Sequence, residues 1–189
     1  TFSGNSVRGN VAGASGSGMG GGLYISRNPE MATSAFNVTQ NLIADNVASQ
    51  NDTGKGGGIY LGVNRMARLD SNTIIGNSAT TNAAMTGLGG GVYIVSSVDF
   101  SVSNSVIARN RAETQGSGVW IGKAENSSDP QWSRGSILQT TIADNQEGSG
   151  VWLESPLPAG RLAVAYAGGT QLMVFSSSSY QVGDRLLIV

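Results

Sequence analysis

Five aromatic residues occupy one position of a repeated motif, and rings at regular spacing are the raw material of a sugar-stacking or protein-docking surface. They are Tyr24, Tyr60, Tyr93, Trp120 and Trp152, each in a short apolar run behind a glycine cluster. The acids that could cut a polysaccharide are less well placed. The best aligned are Asp45 and Asp144, each just before an asparagine of a second repeated motif, with Gly76 and Arg109 in the same slot between them. If repeats stack at ~4.8 Å, three steps separate the two carboxylates by ~14 Å. Paired glycosidase carboxylates lie ~5–9.5 Å apart, so these two do not form a pair. Arg109 and Asp144, one step apart, are expected as a surface ion pair of little energetic weight. The chain has no histidine, the commonest general base, and no cysteine, so thiolate metal sites and disulfides are excluded. No repeated acidic motif of the calcium-binding kind is present. The sequence therefore names no catalytic residue, no metal and no cofactor.

The elements that carry these residues recur five times. The glycine-led element reads Gly20-Gly21-Gly22-Leu23-Tyr24-Ile25, then Gly56 to Leu61, Gly89 to Ile94, Gly116 to Ile121 and Gly148 to Leu153. The second element ends at Asn5, Asn46, Asn77, Asn110 and Asn145, three residues after Phe2, Ile43, Ile74, Ile107 and Ile142, so its spacings are 41, 31, 33 and 35 residues. Repeats of this length mark a solenoid. Leu23 and Ile25, and their equivalents in each repeat, alternate onto one buried face, which turns the aromatics between them outward. A second alternating pair precedes the asparagine element: Phe36 and Val38, Ala67 and Leu69, Phe100 and Val102, then Ile137. Three short strands per repeat predict a coil of a parallel β-helix. Asparagine tolerates a left-handed corner, and its amide can bond the identical amide one coil away, so Asn5, Asn46, Asn77, Asn110 and Asn145 are expected as a structural ladder. The glycines supply positive φ and close backbone approach at another corner.

These motifs resemble those of secreted right-handed parallel β-helix proteins of the pectate-lyase-like superfamily. In particular, Gly-Gly-Gly-Ile-Tyr at 56–60 and Phe2-Ser3-Gly4-Asn5 resemble the Gly-Gly-Ala-Ile and Phe-x-x-Asn elements of polymorphic outer-membrane protein repeats, with Ile in place of Phe in the other four turns. The resemblance spans roughly residues 1–154 and implies a right-handed helix of about five coils in a secreted or cell-surface setting. That fold serves enzymes and adhesins alike, so the resemblance does not choose between them.

Two regions stand apart from the repeat. The stretch from Gly122 to Arg134 is the longest connection on its side, and Asp129, Trp132 and Arg134 make it a candidate loop site. Residues 155–189 break the pattern at Pro156 and Pro158, then read as further strands at Leu162–Tyr166, Thr170–Phe175 and Arg185–Val189. The segments at 168–174 and 182–188 resemble one seen beside the coil in several secreted β-helix proteins, so 155–189 is expected as a differently built β segment, a cap or the start of a further stretch. With 12% charged residues and a net charge of −1, nothing points to a nucleic-acid partner, and no apolar run is long enough to span a bilayer. The reading that results is a non-catalytic extracellular structural or adhesive module. Its partners are further copies stacked end to end or the rest of a longer β-helix. The alternative is a polysaccharide-active enzyme or a glycan-binding fragment of one.

Overall fold

A computed structural model describes residues 1–26, 35–62, 66–123 and 133–154, and these form an all-β parallel solenoid of about four turns. The predicted segment 155–189 lies outside the described residues, as do Asp129 and Trp132. The chain passes five times through three sheets. The first sheet stacks Phe2–Ser3, Phe36–Thr39, Ala67–Asp70, Val98–Ser103 and Arg134–Leu138. The second stacks Ser6–Arg8, Leu42–Ala44, Thr73–Ile75, Val106–Ala108 and Thr141–Ala143. The last in each pass, the aromatic sheet, stacks Leu23–Ser26, Ile59–Gly62, Val92–Val95, Val119–Gly122 and Val151–Leu153.

Every pairing is parallel, so like residues fall beside like residues from coil to coil. Val7, Ile43, Ile74, Ile107 and Ile142 make one inward column. Leu23, Ile59, Val92, Val119 and Val151 make another, and Ile25, Leu61, Ile94, Ile121 and Leu153 a third. Phe2, Val38, Leu69, Val102 and Ile137 complete the interior. Side chains in the middle coils, such as Ile43, Leu61 and Ile74, are 0% exposed, while those of the first and last passes, Ile25 apart, are only partly buried. Full burial of an Ile or Leu contributes ~2–3 kcal/mol, so these columns supply most of the drive to coil. Large and small residues alternate where space is short: Phe36 lies beside Ala67, and Phe100 beside Gly135. A Cβ at Gly135 would meet the Phe100 ring, with Cδ1 at 2.6 Å.

Between the second sheet and the aromatic sheet the sequence reading expected only loops. The first three passes instead place two more short strands there. One sheet stacks Val11–Gly13, Val47–Ser49 and Ser78–Thr80, and the other stacks Gly18–Met19, Gly54–Lys55 and Gly87–Leu88. Two- and three-residue strands with Ser, Thr and Gly carry no legible alternation, which is why the pattern did not announce them. In the last two passes only isolated bridges, at Arg111, Gln115 and Gln146, continue these sheets.

Candidate functional site

The asparagine motif builds two ladders rather than one. In the first, the Nδ2 of Asn10 donates to Oδ1 of Asn46 at 2.9 Å, Asn46 to Asn77 at 2.9 Å, Asn77 to Asn110 at 3.0 Å and Asn110 to Asn145 at 3.1 Å. Each of these oxygens also accepts the backbone N–H of the preceding asparagine. Asn77 illustrates the result. Its Oδ1 accepts from the N–H and Nδ2 of Asn46, and its Nδ2 donates to the Ile43 carbonyl and to Asn110. All four hydrogen-bonding capacities of a fully buried amide are thereby used.

Asn5, expected in this ladder, belongs to the other. Phe2 registers with Val38, and Val7 with Ile43, so the first-pass equivalent of Asn46 is Asn10. The corrected first spacing, from Asn10 to Asn46, is 36 residues in place of 41. Asn5 donates to Asn41 Oδ1 at 3.2 Å and Asn41 to Asn72 Oδ1 at 3.0 Å, after which Ser105 takes over, accepting the Asn72 N–H at 3.0 Å. Thr140 holds the last place, its hydroxyl turned to the Leu138 carbonyl. Asn41 and Asn72 were missed. The signal was present, since each lies five residues before a ladder asparagine and three after Val38 or Leu69.

The left-handed corner falls one residue earlier than expected. Gln40, Ser71, Asn104 and Gln139 have φ from 48° to 56°, and Asp45, Arg109 and Asp144 from 54° to 57°; each precedes a ladder position. The corner thus turns the following asparagine inward, where its amide replaces water for the backbone.

The third glycine of each of the first four clusters faces the first ladder across the interior. A Cβ on Gly58 would sit 3.1 Å from Asn77 Nδ2, 3.0 Å from Ile74 Cγ2 and 2.6 Å from the Gly91 carbonyl oxygen. Gly22, Gly91 and Gly118 face Asn46, Asn110 and Asn145 in the same way. The two motifs that recur in the sequence recur because they pack on each other.

The aromatic column points away from the interior, as expected, and stacks on itself. Tyr24 and Tyr60 have ring centroids 4.9 Å apart, Tyr60 and Tyr93 5.3 Å, and Tyr93 and Trp120 4.3 Å, with interplanar angles of 10° to 18°. It is not an open strip. Tyr93 and Trp120 are each 4% exposed, clustered with Leu88 and Val95, and Tyr60 and Trp152 are half-buried beside them. Lys55 Nζ lies 5.7 Å from the Tyr93 centroid, and Trp120 Nε1 donates to Gln115 Oε1 at 3.3 Å. Burial, then the neighbouring Tyr24 hydroxyl, raises the Tyr60 phenol above its ordinary pKa. Tyr24, 58% exposed, is the most open ring of the column.

The charged candidates do not gather. Asp45 and Asp144 stand three passes apart in register. Asp45 bonds Arg8 at 3.1 Å on the surface, and no ion pair joins Arg109 to Asp144. A second ion pair joins Arg111 Nη2 to Glu113 Oε1 at 2.6 Å, within one connection. Of the candidate loop site, only Arg134 is described; it is exposed and opens a strand of the first sheet. One acid went unread: Asp70, whose carboxylate accepts from Ser103 at 2.6 Å, Asn104 at 2.8 Å and Ser71 at 2.9 Å, which holds its pKa below the usual carboxylate range. It stands in the outward column of Ser3, Thr39 and Ser103 and serves as a surface clasp between coils. Compared with protein-family models, curated proteins and solved structures, the chain matches none of them.

Proposed function

We propose that this chain is a non-catalytic structural or adhesive β-solenoid module that works outside the cell. The observation that carries the reading is where its polar and aromatic side chains go. Buried Asn46, Asn77 and Asn110 each place all four hydrogen-bonding capacities within the coil, and Tyr93 and Trp120 are stacked and covered. Side chains held this way brace a rod and leave little to meet a substrate. The most aligned acids, Asp45 and Asp144, lie three passes apart, against the close pairing that glycoside cleavage needs. Incubation with a panel of plant and bacterial polysaccharides tests this: no reducing or unsaturated ends are expected, and their release would overturn it.

One observation favours a second role for the same module. The exposed ring of Tyr24 ends a stacked column, and a sugar ring can continue such a stack. Binding there without cleavage would show as a change in tyrosine emission on glycan titration that Tyr24→Ala removes.

A further inference from the structure

We infer that the outward face of the second sheet is a lateral docking surface for a second copy of this chain, the two rods lying antiparallel. This goes beyond the structural reading above by naming a partner, and it does not depend on that reading. The three main sheets treat their outer faces differently. The first is polar, carrying Asn37, Thr39, Arg68, Asp70, Ser101 and Ser103 over passes two to four. The aromatic sheet covers itself. The second is mainly aliphatic: over the same passes Leu42, Thr73 and Val106 form one outward column, and Ala44, Ile75 and Ala108 the other. Leu42 and Ile75 are half-buried, Val106 is 40% exposed, and none of the three belongs to either apolar cluster of the interior.

What selects the partner is a row of charge along one edge of this face. The corner that ends the second sheet reads Gly9, Asp45, Gly76, Arg109 and Asp144 from the first pass to the fifth, all exposed. Arg8 stands beside Gly9 and bonds Asp45. Two copies can meet face to face about a two-fold axis along the rod or along the strands. An axis along the rod sets this row opposite the other edge, where Gly4, Gln40, Ser71, Asn104 and Gln139 carry no charge. An axis along the strands sets the row opposite itself, reversed. Centred on the third pass, it brings Asp45 against the partner's Arg109 and Arg8 against the partner's Asp144, each pairing made twice. Neighbouring registers oppose like charges. Centred on the second pass, Asp45 meets itself, and on the fourth, Arg109 does. Centred between the second and third passes, Arg8 meets Arg109; between the third and fourth, Asp45 meets Asp144. The row therefore favours one register and penalises its neighbours. That register also lays Leu42 on the partner's Val106 and sets Ile75 opposite its own counterpart, so the aliphatic side chains meet along the middle. Five passes at ~4.8 Å and three or four residues of strand make a face of ~24 by ~13 Å, well below the ~800 Å² that each side of a stable complex buries. The contact is weak and reversible, and gains weight where copies are held close together.

Charge swapping tests the inference. Asp45→Lys and Arg109→Glu are made in the intact chain, singly and together. Arg109 at φ 55° and Glu147 at φ 62° show that such corners take long charged side chains. Sedimentation equilibrium at low salt, over a concentration series, reads the dimer constant. The unsubstituted chain is expected to associate, and less so as salt is raised. Each single variant opposes like charges twice in its own dimer and should bind itself about tenfold more weakly. An equimolar mixture of the two restores both pairings, as does the double variant, and each should return to within about threefold of the unsubstituted chain. A monomer at every concentration would overturn the inference. So would single variants that associate as well as the unsubstituted chain, or a mixture no stronger than its components. None of these failures touches the non-catalytic reading, which answers to the release of sugar ends.

Discussion

The first three passes and the last two solve the same corner differently. Counted from Asn10, Asn46 and Asn77, 9, 9 and 11 residues separate the ladder asparagine from the glycine cluster in passes one to three; in passes four and five, 5 and 2 do. The longer connections fold into two extra strands, and the strands starting at Val47 and Ser78 lie against the middle glycines Gly21 and Gly57 of the preceding passes. A Cβ on Gly57 would collide with the Gly90 carbonyl and the Ser78 backbone, and one on Gly90 with the Arg111 backbone and the Ser117 carbonyl. Where the connection retracts, the middle glycine becomes Ser117 and Ser149. Neither hydroxyl has a hydrogen-bond partner among the described residues, so no side-chain bond explains the serine there.

The comparison can be broken most sharply in the interior. Ile74→Asp places a carboxylate where exposure is nil and should cost about 5 kcal/mol or more, enough to unfold an ordinary domain. Ile142→Asp, in the half-covered fifth pass, should cost about 2 kcal/mol, because the acid can reach water. Thermal melts of the two variants decide this, and equal losses would mean that the ends are as well packed as the middle.

Next in size is the glycine itself. Gly57→Ser should lose about 3 kcal/mol through backbone displacement, whereas Ser117→Gly should stay within about 1 kcal/mol. Urea midpoints at matched slopes compare them. Equal effects would mean that the backbone around Gly57 leaves room for a side chain after all.

The ladder grades in the same direction. Asn77→Ala strands the Asn46 donors, the Ile43 carbonyl and Asn110 Oδ1, and should cost about 1–3 kcal/mol. Asn145→Ala, at the half-buried end, should cost about 1 kcal/mol or less. A loss within ~0.3 kcal/mol at Asn77 would count against a buried ladder.

The smallest effect is electrostatic. Because hydrogen bonds lower the folded pKa of Asp70, its stabilising contribution is full above the ordinary aspartate pKa and fades as pH falls through the folded value. Wild type should therefore exceed Asp70→Asn in stability near neutrality, with the gap closing in acid. A gap independent of pH would remove Asp70 as a clasp.

Much of this was legible because period-2 alternation and glycine clusters are strong signals: the three main strands, the inward columns and the outward aromatics follow from residues such as Leu23-Tyr24-Ile25. The second ladder was hidden by substitution. Asn5, Asn41 and Asn72 give way to Ser105 and Thr140, which keep the corner with a hydroxyl in place of an amide. Phe2-Ser3-Gly4-Asn5 then drew the eye to the wrong ladder, since only pairing register separates Phe2 from Val7. Burial of the aromatic column was equally hidden, because nothing in Tyr93 or Trp120 alone says that Leu88 comes from another strand to cover them. The inward tilt of the asparagines depends on φ of the preceding residue, which Gln40 or Arg109 does not advertise.

The claim beneath all of this is that the asparagines are internal struts. Side-chain amide hydrogen exchange, followed by NMR residue by residue, tests it most directly. The Nδ2 protons of Asn41, Asn46, Asn72, Asn77 and Asn110 are predicted to exchange far more slowly than those of exposed Asn51 and Asn104. Exchange of the ladder amides at the rate of the exposed ones would contradict the account.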